Sequence, residues 1–168
     1  MAYKRKSWQE KLADDKGLPK VAPVCGNMTK RWGTGIMVIP APREVDELMR
    51  RVPKGKVTTI NRIRVALAKK HGADFACPIT TGIFAWIAAH AAEEARSEGK
   101  KRITPWWRTL KGEGELNPRY PGGLEHQITL LRAEGHELLP GKGKRAPSLK
   151  KFGSAVMDFK GGITAMNR

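Results

Sequence analysis

Apolar residues recur every three or four positions in four segments in the middle of the chain, which predicts four amphipathic helices. The first covers residues 42–52 and ends before Pro53, because proline cannot continue a helix. The second begins after Thr59, a favourable N-cap, and ends at Gly72. Their apolar stripes consist of Val45, Leu48, Met49 and Val52 in the first helix and of Ile60, Ile63, Ala66 and Leu67 in the second.

The third helix is the longest and is predicted in residues 77–99, with a second half rich in alanine and charged residues. The fourth covers residues 124–134, is capped by Gly135 and precedes a short strand-like piece. Between these helices, residues 102–110 have the composition of a strand, and residues 111–123 that of a Gly/Pro-rich loop or wing. The apolar stripes are Ile79, Ile83, Trp86, Ile87 and His90 in the third helix and Leu124, Ile128 and Leu131 in the fourth.

Short helices joined by turns and followed by a strand and a wing are arranged in this order in winged helix-turn-helix domains. We therefore predict a mostly α (α+β) fold with short strands and a Gly-rich wing. The folded domain is expected at residues 41–139, with a basic N-terminal arm at 1–40 and a basic C-terminal tail at 140–168. The sequence leaves open whether these arms are solvated or ordered against the core or against DNA.

The chain of 168 residues is strongly basic. It contains 32 Lys and Arg and 16 Asp and Glu, which gives a formal net charge of +16. Such an excess favours polyanionic partners, with nucleic acid as the first candidate and a membrane surface as the second. The arms are the most basic parts for their size, with 8 basic and 3 acidic residues in 1–40 and 7 and 1 in 140–168. The middle is nearly balanced, as is typical of a folded domain.

Other classes of protein are not favoured. No run approaches the ~18 apolar residues of a membrane span, and the basic N-terminus lacks the apolar stretch of a secretory signal. Cys25 and Cys77 are too few for a disulfide scaffold or a four-thiolate zinc site, and the histidines lack metal-ligand spacing. We expect a cytoplasmic, nucleoid-associated protein with no cofactor, no metal and no membrane partner.

Four short motifs in the middle of the chain add a family resemblance. They are "VPKGKVTTINRI" (52–63), "TPWWR" (104–108), "RYPGG" (119–123) and "LLRAEGHEL" (130–138). In order and separation they resemble the C-terminal, DNA-binding domain of the alkylguanine-DNA alkyltransferases, or methylated-DNA–protein-cysteine methyltransferases. The resemblance covers roughly residues 42–139 and implies a winged-helix DNA repair protein. Its partner would be double-stranded DNA containing O6-alkylguanine, recognised by base flipping.

The same resemblance shows where the chain departs from the family. The family's alkyl-accepting cysteine falls on Trp106 and its activating histidine on Trp107, while Glu134 matches the glutamate that orients that histidine. An indole only donates a hydrogen bond and supplies neither thiolate nor base. The tyrosine and arginine that extrude the nucleotide fall on Ile60 and Phe84. Tryptophan at the acceptor position is typical of the alkyltransferase-like branch, although that branch usually keeps the histidine.

Candidate site residues follow from the motifs and from the predicted elements. Trp106, Trp107 and Tyr120 are the candidate residues of a base pocket. Because neighbours on a strand face opposite ways, we expect one tryptophan to pack in the core and the other to line the pocket. Each of these residues also has a purely structural alternative. The tryptophans could serve only in packing and Tyr120 could anchor the loop, while Thr80 could cap its helix and Arg108 could support the wing. The predicted DNA-contacting residues are Thr59, Asn61, Arg62, Thr80, Thr81, Phe84, Arg108, Gly122 and Gly123.

The leading hypothesis is a monomeric, non-enzymatic DNA-binding protein that inserts the helix of residues 79–90 into a groove of DNA. Recognition of alkylated guanine and recruitment of a repair protein are what the resemblance adds to it. One alternative is a DNA alkyltransferase that uses Cys77 as its acceptor, although a lone cysteine at a helix start is more often a small buried apolar residue. The other is a nucleic-acid-binding protein that is indifferent to lesions.

Overall fold

The structure is a computed structural model that describes residues 4–159 and shows short strands between helices, an α+β arrangement. In chain order the elements of the described residues are α1 (Trp8–Ala13), β1 (Lys20–Pro23), α2 (Met28–Trp32), β2 (Ile36–Ile39), α3 (Pro42–Arg50), β3 (Thr58–Thr59), α4 (Ile60–His71), β4 (Phe75–Ala76), α5 (Pro78–Ser97), a 3-10 turn (Trp106–Arg108), β5 (Thr109–Leu110), α6 (Gly123–Ala133), β6 (Leu138–Leu139), β7 (Ser148–Leu149) and α7 (Phe152–Ala155).

The four helices predicted from the apolar pattern are confirmed as α3, α4, α5 and α6. Local sequence sets the ends of α4, because the Thr59 hydroxyl accepts a hydrogen bond from the Arg62 amide at 3.2 Å and Gly72 closes the helix with φ of 63°. Pro42 and Pro78 stand in the first turns of α3 and α5, where a missing amide is tolerated.

The face that α5 buries is only partly the predicted one, since Ile87 is buried in the core as expected. Ile79 and Ile83 are 47% and 44% exposed, whereas Thr81 and Phe84 are in the core. The buried side is lined mainly by alanines, whose small side chains let α1, α3 and α4 approach α5 closely. Close packing of helices over small side chains, rather than the isoleucine stripe, therefore determines which face of α5 is buried.

The N-terminal segment is ordered against the core. β2 pairs antiparallel with β1 and parallel with β4, with Met37 opposite Phe75, and β4 lies between α4 and α5. Helix α1 packs on α5, where the Glu94 carboxylate accepts hydrogen bonds from the amides of Trp8 and Gln9 at 3.0 and 3.2 Å. α1, β1 and β2 are thus packed against the fold rather than held as a solvated arm.

Part of the C-terminal segment is ordered as well. β6 pairs antiparallel with β7, and Leu149 is buried in a second apolar cluster with Val57, Leu110 and Leu131. Val156 bridges to Val57 beyond α7. The rest of the predicted tail, residues 160–168, lies outside the described residues.

The segment predicted as a strand, residues 102–110, is only partly one. Thr109 and Leu110 form β5, which pairs parallel with β3. Residues 106–108 instead form the 3-10 turn, closed by a hydrogen bond from the Arg108 amide to the Pro105 carbonyl at 3.1 Å. Pro105 has no amide with which to extend the ladder, so the two tryptophans do not face opposite sides of a strand.

Candidate nucleic-acid interface

Trp106 is the largest fully buried side chain of the described residues, with 0% of its surface exposed. Its indole Nε1 donates to Glu93 Oε1 at 3.1 Å, and its ring centroid lies 5.5 Å from that of Tyr120 and 5.9 Å from that of Trp107. The predicted role of Trp106 as a pocket wall is therefore wrong, because protein covers the whole ring.

Trp107 and Arg108 belong to an internal network around Glu134. Trp107 is half-buried between the two apolar clusters, and its Nε1 donates to Glu134 Oε1 at 3.1 Å. The Arg108 guanidinium donates to the same carboxylate from Nε at 2.9 Å and from Nη2 at 2.5 Å, and its Nη1 donates to the Val52 carbonyl at 2.7 Å. The predicted DNA contact of Arg108 is wrong, since its donors are used inside the protein.

The electrostatics of this network follow from its hydrogen bonds. Burial alone would raise the pKa of Glu134, but the hydrogen bonds from Arg108 and Trp107 hold that pKa below its usual value. Glu134 thus remains a carboxylate that fixes the 3-10 turn to the end of α6.

Tyr120 is buried against Trp106, and burial raises the pKa of its phenol well above the ordinary value. A buried ring in this position anchors the loop, so the predicted pocket role of Tyr120 is wrong. Gly122 follows with φ of 75°, and a Cβ there would lie 2.6 Å from the Cβ of His126. Gly122 and Gly123 therefore have a structural reason to be glycine at the start of α6, and their DNA contacts remain predictions.

Three further predicted DNA-contacting residues are internal. Thr59 is buried as the cap of α4, and Thr81 is buried with its hydroxyl donating to the Cys77 carbonyl at 2.7 Å. Phe84 lies in the main apolar cluster and so is not a wedge for DNA. These three predictions are wrong because each side chain stabilises a helix or the core. The hydroxyl of Thr80 is enclosed and has no hydrogen-bond partner among the described residues.

The start of α4 does reach the surface. Asn61 is exposed, and its Oδ1 accepts a hydrogen bond from Arg64 Nη1 at 3.2 Å. Arg62 is partly exposed and forms an ion pair with Asp158. Both side chains lie in the first turn of a helix, where amide groups suit a phosphate, and their contacts to DNA remain predictions.

A groove of about 890 Å³ runs along the exposed face of α5. One wall carries the isoleucines at positions 79 and 83 together with Trp86, and the loop between β5 and α6 supplies Lys111 and Arg119 on the other side. Sequence reasoning expected this helix to enter a DNA groove, but it assigned the contacts to Thr80, Thr81 and Phe84 and took the isoleucines for core. The signal that could have found this surface is a second stripe at helical spacing, which consists of Thr81, Phe84, Ala85, Ala88 and Ala92.

An aromatic cluster fixes one end of the groove to α1. The ring of Trp8 stacks on His90 with centroids 4.4 Å apart and meets Trp86 edge-on at 4.8 Å. Trp86 Nε1 donates to the Arg119 carbonyl at 3.1 Å and so ties the helix to the loop opposite. Burial lowers the pKa of His90, and the nearby Lys11 lowers it further, so His90 adds an uncharged ring to the wall near neutral pH.

The remaining chemistry of the described residues is sparse. Cys77 is buried at the N-cap of α5, whereas Cys25 is exposed between β1 and α2. Within residues 4–159, no three His, Cys, Asp or Glu side chains are grouped so that they could hold a metal ion. None of the helices in the same range has the length and apolarity needed to cross a bilayer.

Comparison with known proteins gives a limited result. No protein-family model matches the sequence, and no curated protein matches it. Two crystal structures are similar to it: S. pombe Atl1 in complex with damaged DNA containing O6-carboxymethylguanine, and S. pombe ATL in complex with DNA. In both cases the identity is 19%, the match covers 70% of this chain and 94% of the other, and the TM-score is 0.49.

Proposed function

We propose that this protein is a non-enzymatic DNA-binding protein that docks the exposed face of α5 against a groove of the double helix. The observation that carries the proposal is the exposure of Ile79 and Ile83 in a groove whose lining, within the described residues, contains no acidic residue, beside Lys111 and Arg119, in a chain of net charge +16. In this proposal α4 and α5 act as the helix-turn-helix pair, and the loop of residues 111–122 acts as the wing.

The surface suits a DNA groove on physical grounds. Exposed isoleucines of this kind act as apolar wedges between base steps in proteins that bind the minor groove. Lys111 and Arg119 lie across the groove of the protein, where they can neutralise phosphates beside the wedge. Asn61 and Arg62 at the start of α4 add a second set of phosphate contacts.

Recognition of an alkylated base would use the groove, not the expected pocket. Because Trp106 fills the position next to Tyr120, an extruded base would lie between α5 and Arg119, in a space of about 890 Å³. The burial of Trp106 also favours a second candidate function, which is DNA binding without lesion recognition.

Alkyl transfer is not part of the proposal. Trp106 and Trp107 are indoles whose Nε1 groups donate to Glu93 and Glu134, so neither can serve as nucleophile or base. The Cys77 thiol belongs to a residue that is only 5% exposed, and its backbone caps α5. A substrate therefore has no approach to Cys77 without disruption of the start of that helix.

Ile83→Asp is expected to weaken binding to a 20-base-pair duplex by about tenfold or more, because a carboxylate would replace the wedge and face the phosphates. Band-shift titrations at several salt concentrations measure the effect and should give a log–log slope of about −0.9 for each phosphate neutralised. Leu139→Asp is the matched control, since Leu139 is 46% exposed on β6 and does not line the groove. Equal losses for both variants, or a slope near zero, contradict the proposal.

A duplex with a labelled O6-methylguanine distinguishes the candidate functions. We expect the label to stay on the DNA, because no described thiol lies in the groove. An affinity more than about tenfold above that of the undamaged duplex supports recognition of the lesion, whereas a ratio near one selects lesion-independent binding. Transfer of label to the protein that disappears in Cys77→Ala would identify an alkyltransferase.

A further inference from the structure

A second concavity, of about 480 Å³, lies between α1, α3, α5 and residues 100–104 and is called here the basic cavity. Its floor is apolar, and the residues that α5 contributes to it are all alanines. The rim is formed largely by long cationic side chains. The floor consists of Leu12, Ala91, Ala92, Ala95 and Ile103, and the cationic rim of Arg43, Arg50, Lys100 and Arg102.

The rim has more positive charge than its own carboxylates neutralise. The charge of buried Asp46 is paired within the protein, since its carboxylate accepts hydrogen bonds from Arg50 Nε at 2.9 Å and from the Thr104 hydroxyl at 2.5 Å. The side chains of Arg43 and Arg102 are exposed and form no ion pair with any residue of the described range 4–159. Glu47 is the other acidic residue of the lining, so the cavity is left with a surplus of positive charge.

The basic cavity faces away from the DNA groove proposed above. At 3.6 residues per turn, Ala95 lies roughly 160° around α5 from Ile79 and about 24 Å further along its axis. The two concavities therefore use opposite sides of one helix. A duplex seated on the isoleucine face leaves the alanine side of α5 accessible.

We propose that the basic cavity docks an acidic segment of a partner protein, which inserts an apolar side chain onto the alanine floor. Carboxylates that flank this side chain pair with Arg43 and Arg102, whose planar guanidinium groups suit bidentate contacts. The space is large enough for one leucine, phenylalanine or tryptophan side chain with part of its backbone. A nucleic-acid backbone matches only the rim, because it has no apolar group to cover the floor.

The test is a fluorescence anisotropy titration of the full chain with a labelled 12-residue peptide of Asp and Glu around a central Leu-Trp pair. We expect saturable binding that weakens at least about tenfold in the double variant Arg43→Glu/Arg102→Glu. Lys101→Glu/Arg132→Glu makes the same change of charge at exposed residues outside the cavity and should weaken binding less than about threefold. A peptide with Ser in place of Leu and Trp should also bind at least about tenfold more weakly.

Several results would overturn the proposal. Equal weakening by both double variants, or equal affinity for the peptide without apolar residues, would mean attraction by net charge alone. Loss of duplex binding in Arg43→Glu/Arg102→Glu but not in Lys101→Glu/Arg132→Glu would mean that the rim of the basic cavity binds DNA. Competition between peptide and duplex would contradict separate surfaces. Ala95→Glu, which places a carboxylate in the floor, should abolish peptide binding and leave duplex binding unchanged.

The peptide titration contains no DNA, so its outcome does not depend on whether the protein binds a duplex. Thermal unfolding of each variant checks that the fold is retained, which we expect because the exchanged rim residues are exposed.

Discussion

Trp106→Ala is expected to lower the free energy of unfolding by about 3–5 kcal/mol. The indole is completely buried and packs edge-on against Tyr120 and Trp107, so its removal leaves a cavity in the main apolar cluster. The Glu93 carboxylate also loses a hydrogen-bond donor. Urea denaturation followed by far-ultraviolet circular dichroism measures the loss without relying on tryptophan fluorescence.

Two variants separate the contributions to this loss. Trp32→Ala removes the same atoms from a half-buried position on α2 and should cost less than about half as much. Trp106→Phe keeps an aromatic ring in the core and should cost about 1–3 kcal/mol, for the lost volume and the lost hydrogen bond to Glu93.

DNA binding by Trp106→Phe gives an independent check on the same residue. Under conditions where the variant is folded, we expect its affinity for a duplex to change less than about threefold, because a buried ring touches no DNA. A small loss of stability together with a loss of affinity above about tenfold would instead place Trp106 in contact with DNA.

The helices could be predicted because their limits are encoded locally. Thr59 caps α4 through its own hydroxyl, and Gly72 ends the helix in a left-handed conformation. The buried face of α5 could not be predicted in this way, because the helix carries two stripes of helical spacing. Ile79 and Ile83 form the more hydrophobic stripe, and only the close approach of neighbouring helices to the alanine side decides between them.

The sequence predicted which residues of the candidate site lie close together, but not whether they enclose an open pocket. The motifs implied that Trp106 and Tyr120 lie together and that Trp107 lies near Glu134, and the structure brings these pairs into contact. Whether the space between them is open depends on side-chain volumes and on the 3-10 turn that directs both indoles inward. The order of the N-terminal segment depends on pairing between β2 and β4, which are separated by more than thirty residues, a kind of contact that local patterns do not encode.

Glu134→Ala is expected to lower the free energy of unfolding by about 3–5 kcal/mol, because it leaves the Arg108 guanidinium largely buried and unpaired. Arg108 has a side chain that is only 14% exposed, and the Trp107 indole loses its acceptor as well. Glu137→Ala is the matched control, since Glu137 pairs with Lys150 at 3.1 Å with 73% of its side chain exposed. Its loss should cost less than about 1 kcal/mol.

The pH dependence of Glu134→Gln tests whether charge or shape holds the network together. The pKa of Glu134 is lowered in the folded state. Its charge therefore contributes fully to the free energy of unfolding above the unfolded pKa of about 4.3, and this contribution falls as the pH drops through the folded pKa. Urea denaturation should show a large difference between the native protein and Glu134→Gln at pH 7, and this difference should shrink as the pH falls from the unfolded pKa through the lowered folded pKa, where the native carboxylate also becomes neutral. A difference that stays constant between pH 7 and pH 3.5 would mean that geometry, rather than the charge of Glu134, fixes Arg108 and the 3-10 turn.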